Sequence, residues 1–155
     1  MKDSYTKNVM KYFLNPKNMG EIKNPDGVGK VGNMVCGDIT WIFIKIDKKK
    51  NIIKDIKFKT LGCAAAISTS SVLTEMAKWK TIEEALKIKE MDIVKKLGGL
   101  PEPKIHCSLL AASALREAIY DYFKSSKMPI SASLEKTHKI IMKEFNELEK
   151  RHRKK

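Results

Sequence analysis

The chain has 155 residues, is 43% hydrophobic and 32% charged, and carries a formal net charge of +13 at pH 7. That length suits one ordinary domain with an appendage, and the charged content argues for a soluble chain. No apolar run approaches the roughly 20 residues that a membrane-spanning helix needs, and three cysteines, an odd count, do not make a disulfide framework.

In chain order, Asp3 or Ser4 can cap a first helix that runs to about Leu14, with Tyr5, Val9, Tyr12 and Phe13 on one face. Asn15-Pro16 ends it. Residues 20–32 contain Asn24-Pro25-Asp26-Gly27 and read as a turn-rich connection, with a short strand over 31–35. Residues 39–47, rich in Ile, Trp and Phe, predict a strand. Lys48-Lys49-Lys50-Asn51 makes a turn, and 52–60 returns with Ile56, Phe58 and Thr60 alternating against Asp55, Lys57 and Lys59.

A small-residue helix is expected over 64–78, and a capping box at Thr81-Ile82-Glu83-Glu84 opens another to about Ile88. A short helix over 91–97 closes at Gly98-Gly99. Pro101-Glu102-Pro103 is a stiff linker before a helix over 108–124 that buries Leu110, Leu115, Ile119 and Tyr122. After Pro129 a last helix from Ser133 sets Leu134, His138, Ile141, Phe145 and Leu148 on one stripe, where His138 and His152 read as structural. Strands first and helices after make an α+β domain, residues 1–127, with a C-terminal helical extension, 128–155.

The basic excess raises nucleic-acid binding. Yet the basic residues are mostly lysines spread along the chain, with one dense run at 150–155 and no nucleic-acid motif. Solvated lysine faces explain the charge more simply, and attraction to acidic protein partners is the alternative with functional content. Met1-Lys2-Asp3-Ser4-Tyr5 has no signal-peptide core. With unpaired thiols, a reducing, cytoplasmic location is expected.

Chemistry concentrates at the cysteines. Cys36 lies in Val-Cys-Gly-Asp, Cys63 in Leu-Gly-Cys-Ala and Cys107 in Ile-His-Cys-Ser, so that Asp38 and His106 accompany two of the thiols. Thiolates with one carboxylate and one imidazole make a soft-metal site with a weak position, suited to iron–sulfur chemistry or zinc. A buried cysteine is often only a small hydrophobe, but three flanked by Gly, Asp or His are poorly explained that way. Cys63 and Cys107 fall where helices begin, which favours thiolate and an anionic group. Gly37 and Gly62 leave room for close approach. Asp38 is either a hard, exchangeable ligand or a turn cap, and His106 a ligand, a proton donor or a helix-start residue.

The segments Asn15-Pro16-Lys17-Asn18-Met19-Gly20, Val35-Cys36-Gly37-Asp38, Phe58-Lys59-Thr60-Leu61-Gly62-Cys63 and Leu100-Pro101-Glu102-Pro103-Lys104-Ile105-His106-Cys107-Ser108 closely resemble the IscU/NifU-type iron–sulfur cluster assembly scaffolds. The resemblance runs in order from about Ser4 to Lys124. It implies a small antiparallel three-stranded sheet packed against several helices. It also implies a non-catalytic scaffold that takes sulfur from a cysteine desulfurase and iron from a donor, builds a [2Fe–2S] cluster and hands it to apo-proteins. By motif match the ligands fall on Cys36, Cys63 and Cys107, with Asp38 or His106 fourth, while Lys104 lies beside them. Cys107 matches the persulfide acceptor and Asp38 the aspartate associated with release.

The chaperone-recognition segment of such scaffolds usually reads Leu-Pro-Pro-Val-Lys. Here Leu100-Pro101-Glu102-Pro103-Lys104 departs from it, so use of the Hsp70/J-protein pair is not implied. The related SufU branch, a zinc-bound sulfur acceptor, shares the ligands but has a long insertion before the last cysteine that this chain lacks. The ligands can be held within one chain or across a homo-oligomer.

Overall fold

In the computed structural model, which describes residues 4–32 and 37–153 apart from the His152 side chain, the first helix, α1 (Lys7–Leu14), starts two or three residues later than expected. Its cap is Thr6, whose hydroxyl accepts from the Val9 backbone N–H at 3.1 Å and donates to the Leu97 carbonyl at 2.5 Å. That second bond is tertiary, which is why local pattern alone favoured Asp3 or Ser4. Tyr5 thereby precedes the helix instead of lying on its apolar face.

The glycine-rich stretch read as a turn is a strand. β1 (Gly27–Gly32) pairs antiparallel with β2 (Ile39–Asp47), Gly27 opposite Ile44 and Gly32 opposite Ile39. Glycine is required here by packing. A Cβ on Gly27 would lie 2.2 Å from the Ala118 carbonyl oxygen, and one on Gly29 2.0 Å from that of Ala114, both on a long helix that crosses the strand. Residues 33–35 of the expected strand lie outside the described residues.

β3 (Ile52–Leu61) returns beside β2, with Ile42 opposite Phe58 and Ile44 opposite Ile56, to complete a sheet of order β1-β2-β3. The Asp47 carboxylate accepts from the backbone N–H groups of Lys49 and Lys50, which shapes the intervening turn. The outer edge of β3 is paired with the chain after α1: the Gly20 N–H donates to the Phe58 carbonyl at 2.8 Å, and the Phe58 N–H to that of Asn18 at 2.9 Å.

Val31, Ile42, Ile44, Ile56 and Phe58 turn one face of the sheet into the core. Against it pack α2 (Ala64–Ala77) and α5 (His106–Ser125), with α3 (Ile82–Leu86) and α4 (Glu90–Lys96) completing that layer. The Thr81–Glu84 capping box at the start of α3 is present as expected. α5 begins two residues before the expected start, directly after a 3-10 turn at Glu102–Lys104. Its small residues Ala111, Ala114 and Ala118 permit the close approach to β1.

α6 (Ala132–Arg153) buries Leu134, Ile141, Phe145 and Leu148 against α5 and β1. A Cβ on Gly32 would lie 2.4 Å from Leu148 Cδ2, so this glycine also exists for packing. His138 is structural, as expected: Nδ1 sits 2.8 Å from the Glu117 carboxylate, and the ring stacks on Tyr120 at 3.7 Å between centroids.

Candidate metal centre

Ile39 at the start of β2 is paired with Leu61 at the end of β3. The residues just outside that pair, Asp38 on one side and Gly62-Cys63 on the other, are therefore neighbours. Cys63 occupies the N-cap position of α2, and Cys107 is the second residue of α5. Antiparallel pairing and two helix starts thus bring three donors together, and ligand atoms of Asp38, Cys63 and Cys107 all lie within 4.8 Å of one another.

The individual contacts are loose. The Cys63 thiol approaches Asp38 Oδ2 at 3.9 Å, the Lys104 ammonium approaches Cys63 Sγ at 3.7 Å, and His106 Nε2 lies 3.8 Å from Cys107 Sγ. Two thiolates on one tetrahedral metal at about 2.3 Å each stand about 3.8 Å apart. The donors need contract by no more than about 1 Å to meet a common ion. The chemistry fits as well, since two soft donors and one hard one suit iron or zinc.

Burial differs across the group. Cys107 is 1% exposed and Asp38 9%, whereas Cys63 is half-buried. The thiolate charge of Cys63 is the main cause that raises the Lys104 pKa, against the opposing effect of burial. Tyr5 joins the same cluster. Burial first, then the charge of Cys63, push its phenol above the ordinary value, while Lys104 opposes.

The structure therefore gathers Asp38, Cys63, Lys104, His106 and Cys107 into one site. Cys36 lies outside the described residues. Gly37 and Gly62 have distinct duties. Gly37 adopts a left-handed φ of +74° with open space where a Cβ would be, so it serves the backbone turn. Gly62 serves close approach, because a Cβ there would lie 2.9 Å from Asp38 Cγ. Tyr5 is the residue sequence reasoning placed elsewhere. Its only local signal was an aromatic ahead of a helix, which does not distinguish core from site.

Residues 4–129 match the NifU-like N terminal domain family. The chain is 53% identical over 150 residues to the iron–sulfur cluster assembly scaffold protein IscU 1 of Archaeoglobus fulgidus, covering 92% of this chain and 97% of that one. It is 43% identical over 136 residues to the IscU scaffold of Aquifex aeolicus, covering 83% and 87%. Among solved structures, a proposed scaffold protein for the SUF system from Fervidobacterium islandicum superposes with a TM-score of 0.63 at 26% identity, covering 74% of this chain and 96% of that one. The N-terminal NifU-like protein of Brucella abortus has the same fold, with a TM-score of 0.60 at 19% identity over 77% of this chain and 94% of that one. With the family match spanning most of the chain and the Archaeoglobus relative identical at over half of the aligned positions, this protein belongs to the NifU-like N-terminal domain family.

Proposed function

We propose that this chain is a scaffold on which a [2Fe–2S] cluster is assembled and from which it passes to apo-proteins. The observation that carries the reading is the convergence of one carboxylate and two thiols at the joined ends of β2, β3, α2 and α5. The cluster is cargo: the chain supplies donors and orientation, performs no turnover of its own, and must let go. A hard carboxylate among soft thiolates is the donor most easily displaced. Asp38 is accordingly the release position, and Cys36, Cys63 and Cys107 are the holding ligands, with His106 the alternative fourth.

Cys107 is the sulfur acceptor in this reading. Its thiolate attacks the outer sulfur of a persulfide on a cysteine desulfurase, forming a Cys107 S–S bond and expelling the desulfurase thiolate. Two electrons from an external reductant then free the sulfur as sulfide for combination with iron from a donor. Because Cys107 is almost fully buried, transfer requires its sulfur to become accessible. Lys104, on the 3-10 turn, keeps a positive charge beside Cys63 while the sulfur is anionic.

We place this activity in the cytoplasm and in residues 1–127, with 128–155 as an added helix. All the donors precede α6, and the family match ends at residue 129. A second reading, a zinc-bound sulfur acceptor that partners a desulfurase, uses the same donors.

Anaerobic incubation with a cysteine desulfurase, cysteine, a reductant and ferrous iron separates the two. Visible absorption of a [2Fe–2S] chromophore with equal iron and acid-labile sulfide, followed by transfer to an apo-ferredoxin, is the expected result. Zinc retained throughout, with sulfur bound but no iron, would replace the scaffold by the acceptor.

A further inference from the structure

β2 and β3 carry the metal centre at one end and the turn at 48–51 at the other. At roughly 3.3 Å per residue the two ends lie on the order of 25 Å apart. The turn between α2 and α3 is built onto this far end. The Trp79 backbone N–H donates to the Ile53 carbonyl at 2.7 Å, the Ile53 N–H to that of Lys80 at 2.9 Å, and the Ile82 N–H to that of Asn51 at 3.2 Å.

Trp79 is an unusual residue for its position. It follows the C-cap of α2 with φ +71°, the left-handed site where glycine commonly ends a helix. A bulky aromatic residue is strained in that conformation. Asn18, Asn24 and Asn51 share it but carry asparagine, which tolerates it, and Lys127 after α5 shares it with an unbranched side chain less bulky than indole. Burial does not compensate: Trp79 is 63% exposed, with the Lys78 ammonium 5.8 Å over its ring. An indole held out to solvent against backbone preference has the character of an interface anchor.

The surroundings are basic. Among the described residues, Lys45 and Lys48 pair with Asp26, and Lys78 with Asp55, while no carboxylate lies within 4.0 Å of the exposed Lys49, Lys50, Lys54 or Lys80. These four lie within two residues of the backbone contacts that join the α2–α3 turn to β3.

We propose that this end of the sheet, remote from the metal centre, is a docking surface for an acidic protein segment. Trp79 packs on an apolar side chain of the partner, and Lys49, Lys50, Lys54 and Lys80 pair with its carboxylates. Nucleic acid suits the surface less well, because Asp26, Asp47 and Asp55 interleave with the lysines and one indole is not a row of stacking platforms. Docking here leaves the metal centre open, so partner and cargo can be held together.

The test uses the full chain and a Glu-rich peptide containing two leucines, with affinity measured by isothermal titration calorimetry and the contact located through the Trp79 indole N–H resonance. The expected result is a saturable shift of that resonance and not of Trp41. Affinity should fall at least about tenfold in Trp79→Gly and in a Lys49→Glu, Lys50→Glu, Lys80→Glu triple variant. Trp79→Gly should also melt at an equal or higher temperature than the parent, since the strain is relieved. The proposal is overturned by no saturable shift, by undiminished affinity in Trp79→Gly, by a lower melting temperature in that variant, or by a single-stranded oligonucleotide binding this surface more tightly than the peptide does.

Discussion

Gly62 lies against the Asp38 carboxyl group: a methyl at position 62 would stand 2.9 Å from Asp38 Cγ and Oδ2, and 2.8 Å from Ala66 Cβ. Gly62→Ala should therefore displace the Asp38 side chain or the first turn of α2, at about 1–3 kcal/mol of stability. Zinc affinity should fall with it, read by competition with a chromophoric chelator. A lower melting temperature with unchanged zinc affinity would remove Asp38 from the ligand set.

Asp38→Ala should make an assembled cluster longer-lived and slower to transfer. Removing the hard donor removes the easiest route for ligand exchange, provided the thiols hold the iron. Absorbance decay of reconstituted variant and parent, with and without apo-ferredoxin, measures both. Equal or faster decay in the variant would make Asp38 a stabilising ligand instead.

Cys107→Ser should abolish persulfide formation, because a hydroxyl cannot carry the transferred sulfur. The competing acceptors are Cys36 and Cys63, and Cys63 is half-buried where Cys107 is 1% exposed. Mass spectrometry after incubation with desulfurase and cysteine decides between them. Persulfide at the parent level on Cys36 or Cys63 would reassign the acceptor.

Truncation after Lys127 should leave iron and sulfide content intact while lowering stability. It strips the buried faces of Leu134, Ile141, Phe145 and Leu148 from α5 and β1 and exposes Glu117. Loss of several kcal/mol is expected from that apolar area, a fall in melting temperature on the order of 10 °C for a chain of this size. Failure of a still-folded truncate to bind iron would mean that α6 helps shape the site through the end of β1, where Leu148 meets Gly32.

Burial raises the Glu117 pKa, an effect its hydrogen bond and ion pair with His138 oppose. The folded protein therefore binds this proton more tightly than the unfolded chain. The resulting stability is present below the ordinary carboxyl pKa and is lost as pH rises through the folded value. Glu117→Gln keeps an acceptor for His138 Nδ1 and should flatten that part of the stability–pH curve, measured by urea denaturation from pH 4 upwards. An unchanged slope would assign the pH dependence to other groups.

The α+β order, the β2–β3 hairpin, the Thr81 capping box and the stripe of α6 were legible in the residues alone, because each rests on local periodicity or a local hydrogen bond. The donor types at Asp38, Cys63, His106 and Cys107 were legible too, since metal chemistry depends on residue identity. The rest depends on contacts between residues distant in the chain. Gly27 and Gly29 read as turn residues until α5 appears with the Ala114 and Ala118 carbonyls against them, a packing constraint with no local signature. The cap of α1 moved to Thr6 because its hydroxyl also reaches Leu97, distant in sequence. Tyr5 became a neighbour of Cys63 by the same route. Only the pairing of Ile39 with Leu61 could bring Asp38 to Cys63, because register, set across strands, is a property of the folded sheet.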